Sequence, residues 1–241
     1  MTSYSLTDVG KKRLSNQDSL FVSDVQIGPL PNLYIVADGM GGELAGDYAS
    51  ARCVEIVTAE LEKSTETQPI KALDQALQMA NRLINEEANA DSNKTAMGTT
   101  IVAATIVDGH LIVANVGDSR LYVAGATKLT QITKDHSVVA ELVRTGKLDE
   151  DDAKTDRRKN MITRAIGAEE SLTVDYFDVV LKGSENILLC SDGLTNMVDD
   201  EAIYSILSTD EDVFDKAKRL ITLANNNGGK DNITVVVVAA Q

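Results

Sequence analysis

Four aspartates stand where apolar runs of the chain begin or end, and this placement suggests chemistry. Asp38 and Asp192 each close such a run, in LYIVADG and ILLCSDG. Asp118 follows LIVANVG, and Asp231 stands just before ITVVVV. Because an unpaired carboxylate at the edge of an apolar core is costly, the four are most simply explained if they converge on positive charge.

The ligand chemistry favours Mg²⁺ or Mn²⁺ as that charge. Carboxylates are hard oxygen ligands, and no His or Cys cluster accompanies them, which disfavours Zn²⁺. Gly39 and Gly193 follow two of the aspartates, so the backbone there can turn tightly and present a carbonyl to a metal. A turn or helix cap is the competing interpretation of any one aspartate. It weakens for Asp38, Asp192 and Asp231, since each abuts a deeply apolar run.

A pair of such ions, roughly 3.5–4 Å apart, is a known arrangement for in-line displacement at phosphorus. The ions lower the pKa of a bridging water, hold the phosphate oxygens and offset the charge on the leaving group. Phosphate is also bound well by a guanidinium group, which donates two parallel hydrogen bonds to it. Arg13, in KKRLSNQD, is the candidate for this role. A surface charge on a turn is an equally open interpretation of Arg13. The pattern as a whole predicts a phosphatase.

Composition excludes several other classes of protein. The net charge of −14 and the absence of Trp argue against binding to nucleic acid and to anionic membranes. The two cysteines lack CxxC partners and are expected to be buried in a reducing cytosol. No apolar run has the character of a signal peptide or a membrane span. We therefore expect a cytoplasmic protein without nucleic-acid or membrane partners.

The elements that must position the aspartates follow from hydrophobic periodicity. The predicted strands cover 4–9, 19–25, 33–37, 99–107, 111–116, 120–123, 172–180, 186–190 and 233–240, and the predicted helices cover 45–61, 70–90, 137–144 and 212–225. This order is typical of an α+β protein and not of βαβ alternation. Two stacked antiparallel sheets with helices outside would explain the continuous apolar runs. No repeat or long linker divides the chain, so we expect one domain over 1–241.

Eight strings, in order along the chain, resemble the motif series of bacterial type 2C metal-dependent Ser/Thr protein phosphatases. They are RLSNQD, VADGMGG, MGTT, NVGDSR, KDH, TRAIG, LLCSDGL and GGKDNITVV. The resemblance implies a four-layer fold, a central antiparallel β-sandwich flanked by helix pairs. It also implies hydrolysis of phosphoserine and phosphothreonine by a metal-activated water, without a phosphoenzyme.

The resemblance also implies a role for each aspartate. Asp38 would bridge two Mn²⁺ or Mg²⁺ ions, and Gly39 would contribute its backbone. Asp192 and Asp231 would complete the first metal site. Asp118 would bind a third, weaker ion together with Asp192.

Further residues acquire roles by the same resemblance. Arg13 would contact phosphate, while Asp18 and Asn232 would support the metal ligands from behind. Residues 137–168 would form a flap beside the active site, in agreement with the charge-rich segment 145–160.

The chain departs from the family pattern at three places. Glu43 follows DGMGG where many bacterial members have His, and Met40 stands where eukaryotic members often have His. The general acid is therefore open between a metal-bound water and none at all. The flap has Asp156 and Arg157 in place of a His-Pro pair, which predicts an unusual choice of substrate.

The expected partners are phosphoprotein substrates and, as functional opponent, a Ser/Thr kinase. One alternative is a partner-switching phosphatase acting on an anti-sigma-factor antagonist, although the intact RLSNQD and GDSR strings favour the kinase-opposing branch. Another is a non-catalytic scaffold that binds phosphoproteins. The presence of Asp38, Asp192 and Asp231 argues against the scaffold.

Overall fold

Two antiparallel sheets and seven helices make up the described part of the chain. The computed structural model describes residues 1–41, 45–91, 97–153 and 155–240, with Glu150 described by its backbone alone. In chain order the elements are β1 (Thr2–Asp8), β2 (Asp18–Ser23), β3 (Leu33–Met40), α1 (Gly46–Lys63), α2 (Pro69–Ala90), β4 (Gly98–Thr99), β5 (Ile101–Val107), β6 (His110–Val116), β7 (Arg120–Ala124), β8 (Leu129–Gln131), α3 (Val138–Arg144), α4 (Glu150–Ala153), β9 (Asp175–Val180), β10 (Asn186–Cys190), α5 (Asp192–Thr195), α6 (Asp200–Leu207), α7 (Val213–Asn226) and β11 (Ile233–Ala239).

The strands form one sheet of five and one of six. The five-stranded sheet has the order β1-β11-β10-β7-β8, and the six-stranded sheet has the order β2-β3-β5-β6-β9 with β4 paired to β3. Every pairing between these strands is antiparallel. The first strand of the chain, β1, therefore pairs with the last, β11.

Strand β11 shows why the apolar runs are continuous. Val236 and Val238 belong to the core between the two sheets, whereas Val235 and Val237 pack with α6 and α7 on the other side. Both faces of the strand are thus covered, which suits an uninterrupted run of β-branched residues. On the six-stranded sheet, α1 and α2 play the same part and pack against Leu33 and Ile35. The predicted α+β sandwich with outer helix pairs is confirmed.

The element bounds differ from the prediction at a few positions. Strand β3 continues through Asp38 to Met40, because Asp38 still pairs with Asp18 and Met40 pairs with Gly98. Strand β9 begins only at Asp175, three residues later than expected. Helix α6 was not predicted, since its eight residues span little more than two turns.

Segment 137–168 leaves the sandwich and is fastened at both of its ends. Ser137 caps α3, accepting a hydrogen bond from the N–H of Ala140 at 3.2 Å. Isolated bridges join Ser137 to Ile162 and Thr99 to Ile166. The second bridge ties the end of the segment to β4, next to the strand that carries Asp38.

Within the described residues, no helix combines the length and the apolar character needed to cross a membrane.

Candidate active site

Five aspartates from both sheets face a common space at one edge of the sandwich. Asp18 and Asp38 lie opposite each other in the β2–β3 register. Asp192 and Asp231 stand where β10 has ended and where β11 is about to begin, and Asp118 lies in the connection between β6 and β7. The pKa of Asp38 is raised well above its usual value, first by burial and then by the charges of the other four. The charges of the other four aspartates therefore act on Asp38.

Asp38 is held by its backbone within a rigid strand. Its N–H donates to Thr100 Oγ1 at 3.1 Å, and its carbonyl accepts from Thr100 N at 2.8 Å and from Thr99 Oγ1 at 2.9 Å. Thr100 Oγ1 also lies 2.7 Å from Ser119 Oγ. The MGTT string thus links Asp38 to the loop that carries Asp118.

The two glycines that follow aspartates are required by packing. A Cβ at Gly39 would lie 1.9 Å from the carbonyl oxygen of Gly46, at the start of α1. A Cβ at Gly193 would lie 1.9 Å from the carbonyl oxygen of Asn232. Any side chain at either position would push apart the backbone segments that carry the site.

Asp18 is the most deeply held of the acids and is 9% exposed. Its Oδ2 accepts hydrogen bonds from Ser191 Oγ at 2.7 Å and Thr234 Oγ1 at 2.6 Å. Its Oδ1 is buried and has no hydrogen-bond partner within the described ranges. Burial, opposed by these two hydroxyls, raises the pKa of Asp18 to about 7.

Asp192 shows the same division between its two oxygens. Oδ2 accepts from Asn196 Nδ2 at 2.9 Å, while Oδ1 is buried without a partner among the residues that the structure describes. Burial, followed by the charge of Asp231, raises the pKa of Asp192 to about 6. For Asp118, burial followed by the charge of Asp192 raises the pKa to about 7.

The chemistry of this donor set fits a cation. Two buried carboxylate oxygens lack a donor, and neighbouring acids raise one another's pKa. Among the described residues, however, no group of three or more His, Cys, Asp or Glu side chains is close enough together to hold a metal ion as it stands. Electrostatic repulsion acts over longer distances than metal coordination. The acids can therefore raise one another's pKa without being close enough to share an ion. A cation would satisfy the orphaned oxygens and relieve the shared negative charge.

Arg13 lies at the border of this cluster. Its Nη2 donates to Asp231 Oδ2 at 2.8 Å, and its side chain is 49% exposed. The hydrogen bond to Asp231 is the largest cause that raises the pKa of Arg13. Arg13 is therefore near the predicted metal ligands, paired with one of them.

Asn232 holds the loop that presents Arg13. Its Nδ2 donates to the carbonyls of Val9, at 3.0 Å, and Ser15, at 2.9 Å. Its Oδ1 accepts from Gln17 N at 2.8 Å. Its backbone N–H donates to Asp231 Oδ1 at 2.9 Å, so Asn232 contacts one of the proposed metal ligands as well as this loop.

A second arginine, Arg120, which was not predicted from the sequence, partly offsets the negative charge of the cluster. Arg120 is paired with Asp135 at 2.6 Å and donates to Tyr122 Oη at 2.9 Å. Its positive charge lowers the pKa of Asp118 and of Asp192, against the effect of burial. The GDSR and KDH strings contain the two partners, so their joint occurrence was the available signal.

His136 joins the Asp118 loop to the end of segment 137–168. Gly117 N donates to its Nδ1 at 3.0 Å, so Nδ1 carries no proton and Nε2–H faces Asp175 Oδ2 at 3.2 Å. Arg164 Nη1 donates to the other oxygen of Asp175 at 2.9 Å. Burial is the largest cause that lowers the pKa of His136, which favours the neutral ring.

Of the two positions that bear on the general acid, the structure describes Met40. Met40 ends β3, and a Cβ on Gly98 would lie 2.9 Å from its Cε. Met40 packs there and carries no ionisable group. Glu43 lies outside the described residues.

Known proteins share the fold and much of the sequence of this chain. The family model for protein phosphatase 2C matches residues 10–233. The serine/threonine phosphatase stp of Listeria innocua is 40% identical over 236 residues, covering 96% of this chain and 93% of that protein. The protein phosphatase PhpP of Streptococcus pneumoniae is 36% identical over 237 residues, covering 97% and 95%. A solved serine/threonine phosphatase of S. agalactiae superposes with a TM-score of 0.92 at 37% identity, covering 100% and 99%.

The fold and the site define a protein phosphatase, an enzyme class whose members of this type depend on metal ions. The chain belongs to the protein phosphatase 2C family. The family predicted from the eight strings is thereby confirmed.

Proposed function

We propose that this enzyme hydrolyses phosphoserine and phosphothreonine in proteins at the cluster of Asp38, Asp192 and Asp231. The observation that carries the proposal is a cluster of buried aspartates whose negative charges repel one another. Two of their carboxylate oxygens have no hydrogen-bond partner among the described residues, and the half-exposed Arg13 lies beside them. A cluster of this charge needs cations, and a phosphate ester brings its oxygens to them. The whole chain would act as one catalytic domain, with residues 137–168 as a flap.

Two Mn²⁺ or Mg²⁺ ions are the proposed occupants of the cluster. Asp38 would contact both, Asp192 and Asp231 would complete the first site, and Gly39 would offer its carbonyl. Asp118 would bind a third ion together with Asp192. When bound, these ions would stabilise charge on the phosphate oxygens and lower the pKa of a water.

The protein's own residues bind and orient the substrate. The guanidinium of Arg13 is half exposed. It can donate two parallel hydrogen bonds to phosphate oxygens when Asp231 binds a metal ion instead of Arg13. Asn232 keeps the Arg13 loop in place through three hydrogen bonds. Asp18 is fixed through one oxygen by Ser191 and Thr234, and its other oxygen, which is buried without a partner among the described residues, would orient water. Since Met40 cannot donate a proton, we assign protonation of the leaving oxygen to water.

The biological role that we propose is the reversal of phosphorylation by a Ser/Thr kinase in the cytoplasm. An alternative is a phosphatase in a partner-switching system, whose substrate would be an anti-sigma-factor antagonist. Both share the same chemistry and differ only in the phosphoprotein that is bound. A scaffold without activity is disfavoured because the enzyme family is shown and the carboxylates are intact.

Hydrolysis of a phosphothreonine peptide by the purified protein tests the proposal. We expect turnover with Mn²⁺ that a chelator abolishes. A protein that retains full activity in chelator would refute the metal-dependent mechanism, and one that is inactive with every divalent cation would refute the enzyme.

A further inference from the structure

A cavity of about 400 Å³ opens beside the carboxylate cluster. Its lining residues come from the end of β3, from the last part of segment 137–168 and from the residues that follow it: Met40, Ile162, Thr163, Arg164, Ala165, Ala168, Glu169, Ser171, Leu172 and Thr173. Another cavity, of about 430 Å³, is lined by residues between Glu60 and Ala76 and includes none of the aspartates. Only the first of these two adjoins the proposed chemistry.

The cavity lies within reach of a substrate held at Asp38. Met40 is two residues beyond Asp38 on β3, and a strand advances roughly 3.3 Å per residue. The lining therefore begins about 7 Å from the Cα of Asp38. An extended peptide with its phosphorylated residue at the cluster would place a side chain about two residues away at the same distance.

Side chains of α2 hold one wall of the cavity in place through hydrogen bonds. Asn81, which is 1% exposed, accepts from Gly167 N at 2.7 Å through Oδ1. Its Nδ2 donates to the carbonyls of Glu169, at 2.9 Å, and Glu170, at 3.2 Å. Gln78 Nε2 reaches the carbonyl of Leu172 at 3.3 Å. A wall held by buried side-chain hydrogen bonds gives a preformed site, which lowers the entropic cost of binding.

The charge of the cavity is negative. Arg164 is already paired with Asp175 at 2.9 Å, so its charge is compensated. Glu169 is exposed, and no ion pair to it is found among the described residues. The rest of the lining combines apolar side chains, such as Met40 and Leu172, with three hydroxyls. The cavity thus offers an apolar floor and one free carboxylate.

We infer that this cavity binds a lysine or arginine side chain of the phosphoprotein substrate, about two residues from the phosphorylated residue. Long basic side chains have an apolar stem and a charged head. The stem would lie on Met40 and Leu172, and the head would pair with Glu169. This inference rests on the proposed phosphatase function and adds a substrate preference to it.

Phosphothreonine peptides with one arginine, moved through every position of an otherwise neutral sequence, test this site. At one position near the phosphothreonine, arginine should raise kcat/KM roughly fivefold over alanine, the size of a favourable ion pair. In E169K that preference should reverse in favour of glutamate. E170K is the matched control, because Glu170 carries the same charge one residue away and does not line the cavity; it should behave as the native enzyme.

Hydrolysis of p-nitrophenyl phosphate, which has no flanking residues, separates this inference from the proposed function. All three proteins should hydrolyse it equally well, which also shows that the variants are folded. Equal kcat/KM for all peptides, or equal effects of E169K and E170K, would overturn the basic subsite while the phosphatase stands. No metal-dependent hydrolysis of any substrate would overturn the proposed function itself.

Discussion

The aspartate cluster and the cavity wall beside it differ in the hydrogen bonding of their buried polar groups. In the cluster, Asp18 and Asp192 each leave one buried oxygen without a partner in the described structure, and like charges face one another. In the wall, the amide of Asn81 makes three hydrogen bonds. Unsatisfied groups need something from outside the chain, whereas satisfied groups fix a shape. The cluster is therefore suited to bind ions, and the wall is suited to select among peptides.

The largest expected effect comes from removing the central carboxylate of the cluster. D38N should lower kcat/KM for a phosphothreonine peptide by roughly 10³-fold or more, because a metal contact supplies several kcal/mol of transition-state stabilisation. Steady-state kinetics with Mn²⁺ would measure this loss. D178N is the control: Asp178 lies on β9, exposed and paired with His110, and its loss should leave the rate unchanged. A D38N enzyme with activity close to native would remove Asp38 from the mechanism.

The next effect is stabilisation of the cluster by the ion itself. Mn²⁺ at one hundred times its Kd should add about 2.7 kcal/mol to the free energy of unfolding. For a chain of this size, each kcal/mol raises Tm by about 2–4 °C. Calorimetry with Mn²⁺ and with chelator would measure the difference. The increase should be much smaller in D38N; an equal increase there would place the ion elsewhere.

A smaller effect is expected from loosening the wall. N81A leaves three backbone groups without their partner and should cost about 2 kcal/mol of stability. It should reduce discrimination among phosphopeptides while p-nitrophenyl phosphate is still hydrolysed. N89A provides the comparison, since Asn89 is an exposed asparagine on the same helix whose side chain bonds to Asn85. If N81A kept both its stability and its selectivity, the wall would not be held as described.

The smallest effect concerns His136, which joins the two regions through Gly117 and Asp175. The pKa of His136 is lowered in the folded protein, chiefly by burial. Its neutral form therefore stabilises the fold above the unfolded pKa of about 6.5, and this stability is lost as pH falls from there toward the folded pKa.

The comparison with H136N isolates this contribution. The difference in free energy of unfolding between the native protein and H136N should shrink as pH falls below about 6.5. Denaturant titrations of both proteins at a series of pH values would measure it. A difference that stays constant across this range would mean that His136 does not titrate as inferred.

The sequence was sufficient for features that depend on local patterns. Uninterrupted valines predicted β11 covered on both faces, and the position of Asp192 after ILLC marked it as a costly carboxylate. Partners distant along the chain could not be predicted in the same way. Thr234 contacts Asp18 across 216 positions, and Asn81 contacts Gly167 across 86. A threonine within an apolar strand gives no sign of what it meets until the sheets are stacked.

The pairing of β1 with β11 has a consequence for the protein while it is being made. The loop that carries Arg13 follows β1, yet it is fastened by Asn232, and Arg13 meets Asp231 across 218 positions. During synthesis, β1 cannot pair with β11 until β11 has left the ribosome. The edge that carries the carboxylates is therefore completed only after β11 has left the exit tunnel, however early β1 was made.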